Sequence, residues 1–332
     1  MNQDTPPPLP PSLEFKDRKA GLTIFGILTV MIGLLCALFV PLMVAGQSMS
    51  QNAANAPQNH RGIFMVVTMY GGLAVTLIWL GIGSIMARRW ARALLLIFAW
   101  GSLIMGVFML IGMAVMAPQF MAGMAAHPAG QPALPEAAKW GILIAIGGIL
   151  SVIFLIIPGI WVYFYGSKHV KATCEARDPM VRWTDRCPLP VLAASLLAAF
   201  ASLSTVLTVS TMHGVFPFFG VFLVGLPGIL VYLVMAILWA YAAWTMYKLN
   251  LRGWWVAFVI LCFMPISGAI TYAHRDIMDL YRLSGYSAQE IERLQQVGFL
   301  KSQMMAWITL LSALPWLGYL LYVRKFFRRE AE

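Results

Sequence analysis

Eight apolar runs dominate this chain, each near or above the ~20 residues that carry an α-helix across ~30 Å of hydrocarbon. They fall at about 21–45, 62–86, 92–117, 139–165, 190–212, 222–247, 253–273 and 303–323. No Asp, Glu, Lys, Arg or His stands in the central part of any of them. Backbone in lipid must satisfy its own N–H and C=O groups, so segments of this kind become helices. The expected fold is an all-α integral membrane protein with about eight transmembrane helices. Composition agrees. The chain is 60% apolar and 11% charged, where soluble domains carry about 25% charged residues. A net charge of +10 could suggest nucleic acid, but the basic residues form short caps between apolar runs. Membrane lipid is therefore the expected partner, with anionic headgroups meeting the caps, and no nucleic acid is expected.

The caps also set an orientation. With residues 1–20 inside and eight crossings, 17 of the 23 Lys and Arg fall in inside segments and 6 in outside ones. Such a bias places both termini in the cytoplasm of a cell inner (plasma) membrane. The first run is longer than a signal-peptide core and lacks a clear A-x-A site, so it is expected to stay as a helix. Cys174 and Cys187 lie in an inside segment and Cys36 and Cys262 in apolar runs, so no extracytoplasmic disulfide is expected.

Polar segments divide the chain further. Residues 1–20 form a Pro-rich cytoplasmic tail, which reads either as a solvated polyproline stretch or as a docking peptide for a partner. Residues 167–189 form a basic cytoplasmic connecting loop with Lys168, Lys171, Arg177, Arg182 and Arg186. It separates a first four-helix half (21–166) from a second (190–332). The outside segments 46–61 and 118–137 hold small, polar and turn-forming residues and read as flexible loops. Segment 213–226, broken by Pro217, reads either as the start of the sixth helix or as an interfacial or re-entrant turn. At 287–300, Ser287 and Glu290 have capping-box spacing, and Ile291, Leu294, Val297 and Leu300 recur every three residues. A short outer amphipathic helix is expected there, lying on the membrane or on the bundle.

The halves echo each other. Lys16-Asp17-Arg18 precedes the first run as Thr184-Asp185-Arg186 precedes the fifth. Arg88–Arg92 parallels Lys248–Arg252, and Pro158, Tyr165 and Lys168 share their offsets with Pro315, Tyr322 and Lys325. Four crossings return the chain to its starting side, so two such repeats would be parallel.

Chemistry is sparse. Proton relays, ion pathways and intramembrane proteases rely on ionisable residues within spans. The chain has no Walker A loop, no G-x-S-x-G and no H-E-x-x-H. No catalytic residue and no bound cofactor are expected. Ser195, Ala198, Ser202, Thr205 and Thr208 form a small, hydroxylic stripe on the fifth run. It suits a polar lining or, more simply, close helix packing. Met113, Met116, Met121, Met124 and His127 make a soft-donor group at an outer mouth, a candidate Cu(I) site because thioethers select Cu(I). Met43, Met49, His60, Met65 and Met69 belong to the same outer region. Methionine also fills apolar interfaces with no ligand at all. His169, Cys174 and Cys187 match no closed zinc pattern. His274, Arg275, Asp276 and Asp279 read as a polar cluster at a helix end.

The function expected is that of a non-enzymatic membrane scaffold or complex subunit, with a membrane-protein partner or a second copy of itself. The alternative is a facilitator for a small solute or soft metal ion.

Overall fold

The computed structural model describes residues 16–54, 60–125, 135–296 and 302–328. Eight of its helices are long and apolar enough to cross a membrane. In chain order they are α1 (Lys19–Ala54), α2 (His60–Ile85), α3 (Arg89–Ala125), the joined helices α4 (Glu136–Ser151) and α5 (Ile157–Gly166), then α7 (Leu189–Met212), α8 (Leu226–Tyr247), α9 (Leu251–His274) and α12 (Ser302–Arg328). Among the described residues, three short α-helices stand outside the spans: α6 (Lys168–Arg177), α10 (Ile277–Leu283) and α11 (Ala288–Gln296). A small hairpin pairs β1 (Phe216–Phe218) with β2 (Val221–Leu223).

Several expected boundaries move. α1 continues to Ala54 and α3 to Ala125, so 46–54 and 118–125 are helical, not loop. Polarity there reported the solvent. Ala, Met and Gln remain strong helix formers wherever the helix emerges. The connecting loop contains α6, whose Val170, Thr173 and Cys174 are buried at helical spacing. The sixth helix begins at Leu226, and 216–223 forms the hairpin instead. Pro217 could not join a helical ladder, and Gly214, Gly220 and Gly225 adopt positive φ.

Between α4 and α5, Val152–Ile156 form a single π-helical turn just before Pro158. Proline lacks an N–H and crowds the carbonyl four residues back, and a π-bulge absorbs both defects without ending the span. Pro315 lies inside an uninterrupted α12.

The chain divides into two compact units, Met1–Ser102 with Ile157–Thr184, and Leu103–Ile156 with Asp185–Glu332. In the first, α1 and α2 pack along small residues. A Cβ on Gly26 would lie 2.8 Å from the Gly81 carbonyl, and one on Gly33 3.1 Å from that of Ala74. Backbones this close leave no room for larger side chains. The α2–α3 turn puts Ala87 at φ 53, with Ala87 N–H donating to Ser84 O and Arg88 N–H to Gly83 O. This paired pattern closes a helix by a Schellman motif. Tyr165 is fully buried. Ser84 Oγ donates to Leu22 O at 3.0 Å, so the Tyr165 hydroxyl, 2.8 Å away, donates to Ser84 and ties α5 to α1 and α2.

In the second unit, α7 and α8 are stitched by hydroxyls. Ser195 Oγ donates to Ala243 O at 2.7 Å and Ser202 Oγ to Ala236 O at 2.8 Å. The α8–α9 turn puts Leu249 at φ 58, with Leu249 N–H donating to Met246 O and Asn250 N–H to Thr245 O. A Cβ on Gly253 would collide with the Thr245 hydroxyl. Trp254, Met246, Val323 and Phe327 centre an apolar core shared by α7, α8, α9 and α12. Trp254 Nε1 donates to Leu320 O at 2.6 Å, and Tyr319 hydroxyl to Pro190 O at 2.8 Å.

Candidate functional site

Two polar assemblies stand out, one in each unit. In the first, Asp178 follows the last residue of α6, with its side chain 2% exposed. Arg182 Nη2 donates to its Oδ1 at 2.8 Å and Arg182 Nε to its Oδ2 at 3.1 Å. Arg88 Nη1 stands 3.6 Å from Oδ1, and the Arg89 amide donates to Oδ2 at 3.4 Å. The two-pronged Arg182 contact, then the Arg89 amide and the two guanidinium charges, hold the Asp178 carboxyl below its ordinary value against the opposing effect of burial. Around this hub, Arg89 pairs with Glu175 and Arg177 with Asp17. Asp17 also caps the start of α1 by accepting from Lys19 N–H at 2.9 Å. The hub is an acceptor with every lobe engaged by the α2–α3 turn and the segment after α6. It is a clamp.

In the second unit the hairpin is strapped to α9. Phe219 and Gly220, the two turn residues, have φ 40 and 96. Positive φ at both is what a tight hairpin matched to strand twist requires. Phenylalanine tolerates this poorly, and its surroundings compensate. Ser267 Oγ accepts from Phe219 N–H at 3.1 Å and donates to Pro217 O at 2.9 Å. Thr271 Oγ1 accepts from Gly220 N–H at 3.1 Å, and Arg275 Nε donates to Gly220 O at 3.3 Å. The Phe219 ring meets Phe263 edge-on at 5.4 Å. Beside the hairpin, Tyr232 hydroxyl donates to Val215 O at 3.0 Å.

The polar cluster expected at the end of α9 has structural duties throughout. His274 Nδ1 lies 2.8 Å from Ile270 O. Asp276 Oδ1 caps α10 by accepting from Met278 N–H at 3.0 Å, and accepts from Ser302 Oγ at 3.2 Å. Ser302 Oγ accepts in turn from Ile277 N–H, joining α12 to α10. Asp279 pairs with Arg282. The capping box at 287–290 is formed, with Ser287 N–H donating to Glu290 Oε2 at 2.8 Å and Glu290 N–H to Ser287 Oγ at 3.3 Å. Ile291 of α11 is buried against Ile277 and Met278 of α10.

The hydroxyl stripe on α7 is occupied. Ser195 and Ser202 bond to α8, while Thr205 and Thr208 donate to the carbonyls of Ala201 and Ser204 in their own helix.

Of the copper candidates, Met113, Met116 and Met121 lie on α3, each partly buried, and Met124 belongs to the same helix. His127 lies outside the described residues. From Met113 to Met124 a helix rises roughly 16 Å, so one ion can reach only neighbouring turns, such as Met113 with Met116. Among the described residues no group of three or more His, Cys, Asp and Glu is placed to hold a metal ion. His169 Nδ1 accepts from the Lys16 amide at 3.4 Å. Burial pushes the Cys174 and Cys187 thiols up to about 11 each, away from the thiolate a metal binds.

Sequence reasoning missed Asp178, Ser267 and Thr271. Asp178 follows a helix whose buried i, i+3, i+4 pattern was legible in Val170, Thr173 and Cys174. Ser267 and Thr271, four apart on α9, are ordinary for a membrane helix, and only the hairpin gives them a task. Set against protein-family models, curated proteins and solved structures, nothing matches this chain. Fold and site together define a multi-pass, all-α membrane protein.

Proposed function

We propose that this protein is a scaffold or complex subunit of a cell inner membrane, acting through contact with other membrane components and without catalysing a reaction. One observation carries the reading. Ser195 and Ser202 between α7 and α8, Thr205 and Thr208 along α7, and Ser267 and Thr271 under the hairpin all spend their hydroxyls on backbone carbonyls and amides. Groups bonded in this way build rigid interfaces and do not offer a pathway to a solute. The outer cap of hairpin, α10 and α11 then presents a fixed surface for a partner.

A duplication of four helices accompanies this reading. The α2–α3 and α8–α9 turns share their hydrogen bonds and their positive-φ residue at a shift of 162, from Ala87 to Leu249. The tight contact of Gly83 with Ala91 recurs as that of Thr245 with Gly253, at the same shift. Along the helix pairs, Gly26 faces Gly81 and Gly33 faces Ala74, while Ser195 faces Ala243 and Ser202 faces Ala236. Those positions differ by 169 on the first helix of each pair and by 162 on the second. Constant shifts between α1–α3 and α7–α9 favour descent from one repeated unit, four helices long in this reading, while the bias of basic residues favours both termini in the cytoplasm.

The test is purification in mild detergent, followed by identification of co-purifying proteins and metal analysis. A partner, or a second copy, in whole-number ratio is the expected result. A protein that emerges alone and moves a solute in vesicles, or one carrying stoichiometric copper, would overturn the reading.

A further inference from the structure

The basic ends of the two units neutralise their cations differently. In the first, Arg88, Arg89, Lys171, Arg177 and Arg182 all reach carboxylates. In the second, among the described residues, Lys248, Arg252, Arg324 and Lys325 pair with none. Three of them lie on aromatic faces instead. Arg324 Cζ stands 5.0 Å from the Trp254 ring centre and 5.4 Å from that of Trp255. Lys248 Nζ lies 4.6 Å over Trp244 and Lys325 Nζ 3.9 Å over Tyr322.

A cation over an aromatic face keeps its charge and its N–H donors, with no carboxylate to take them up. Arg324 Nε is shielded from water and has no hydrogen-bond partner. Trp254 cannot shift to relieve this, because its indole is buried and bonded to Leu320 O. The result is a positioned cation with no carboxylate partner among the described residues, at the mouth of the seam between α9 and α12. Below that mouth, Trp255, Val259 and Ile266 expose one face of α9, and Leu321 and Leu314 expose α12.

We propose that this seam binds an anionic phospholipid, its phosphate held by the Arg324 guanidinium, with Lys248 and Arg252 of the α8–α9 turn as further cations at the same end of the unit, and its acyl chains laid along the exposed stripes of α9 and α12. A phosphate offers two oxygens to two parallel N–H groups of a guanidinium, a fork that a single water or a chloride cannot supply. The apolar stripes beneath the cation favour a lipid over free phosphate. The site rests on the chain spanning a membrane, and on the proposed topology only for the leaflet concerned.

The test uses the full chain in mild detergent, with native mass spectrometry and thermal unfolding at increasing phosphatidylglycerol or phosphatidylcholine. Phosphatidylglycerol should be retained preferentially and raise the unfolding midpoint. Arg324→Gln should weaken retention about five-fold, the value of one charge near a lipid surface. Arg324→Lys should fall between, and Arg282→Gln, at the other end of the unit, should match the wild type. If Arg324→Gln does not fold, the exposed pair Lys248→Gln with Arg252→Gln carries the same expectation. Equal retention in these variants, equal loss in Arg282→Gln, or displacement by excess inorganic phosphate would overturn the proposal. A chain that stays in solution without detergent would overturn the membrane reading itself.

Discussion

Asp178 accepts both prongs of Arg182 and stands beside Arg88, which keeps its carboxyl ionised below the ordinary 3.8. A depressed carboxylate stabilises the fold fully above its unfolded pKa, and the contribution is lost as pH falls through the folded value. Stability of the wild type should therefore drop on acidification below about pH 4, while Asp178→Asn should lack that component. At neutral pH the variant should cost about 2 kcal/mol. The larger penalty of a fully buried pair does not apply, because Arg88 and Arg182 keep roughly a third of their surface in solvent. Thermal unfolding in detergent across pH measures both effects, and identical pH profiles would remove Asp178 from this role. Gly253 is constrained from the opposite side, by space. Gly253→Ala would drive a methyl into the Thr245 hydroxyl and the Met246 amide, and overpacking of this kind costs about 1–3 kcal/mol. The companion Thr245→Ala with Gly253→Ala should recover part of that loss, and no recovery would show that the clash is not the cause.

Among the elements, the hairpin depends most on a neighbour. Two three-residue strands are unstable alone, and this pair carries a strained Phe219. Its support is Ser267, which serves as acceptor and donor at once. Ser267→Ala should cost about 1–3 kcal/mol by leaving the Phe219 amide and Pro217 carbonyl unpartnered. Faster amide exchange at 216–223, with the rest of α9 still protected, is the expected signature. Unchanged exchange would mean that Thr271 and Arg275 suffice. Here the limits of sequence reading become physical. Pro217 marked a break in 213–226 but left open whether the segment began the sixth helix or turned at the interface. Nothing local could say that a hydroxyl fifty residues away would complete the turn. The capping box was legible because Ser287 and Glu290 satisfy each other within one helical turn. The spacing of Val170, Thr173 and Cys174 was legible, but the dense charge around them made α6 read as a loop.

At the scale of the whole molecule, the orientation is the least costly property to test. An alkaline phosphatase fused after Glu332 should be inactive in the cytoplasm, and a fluorescent protein at the same place should fold and emit. The reverse pattern would invert the proposed topology. Number and length of spans came from the sequence alone, since each apolar run meets lipid by itself and must close its own hydrogen bonds. The same holds for the basic caps, whose bias depends only on which residues flank which run. Tertiary structure alone decided how the helices choose neighbours: Gly26 against Gly81, Ser195 against Ala243, Tyr165 against Ser84. It alone turned His274, Arg275 and Asp276 from a candidate cluster into the struts of a cap. Lipid tails are as apolar as leucine, so hydrophobicity carries a helix into the bilayer but cannot select its partner. That choice falls to close packing and directed hydrogen bonds, which exist only once distant segments meet.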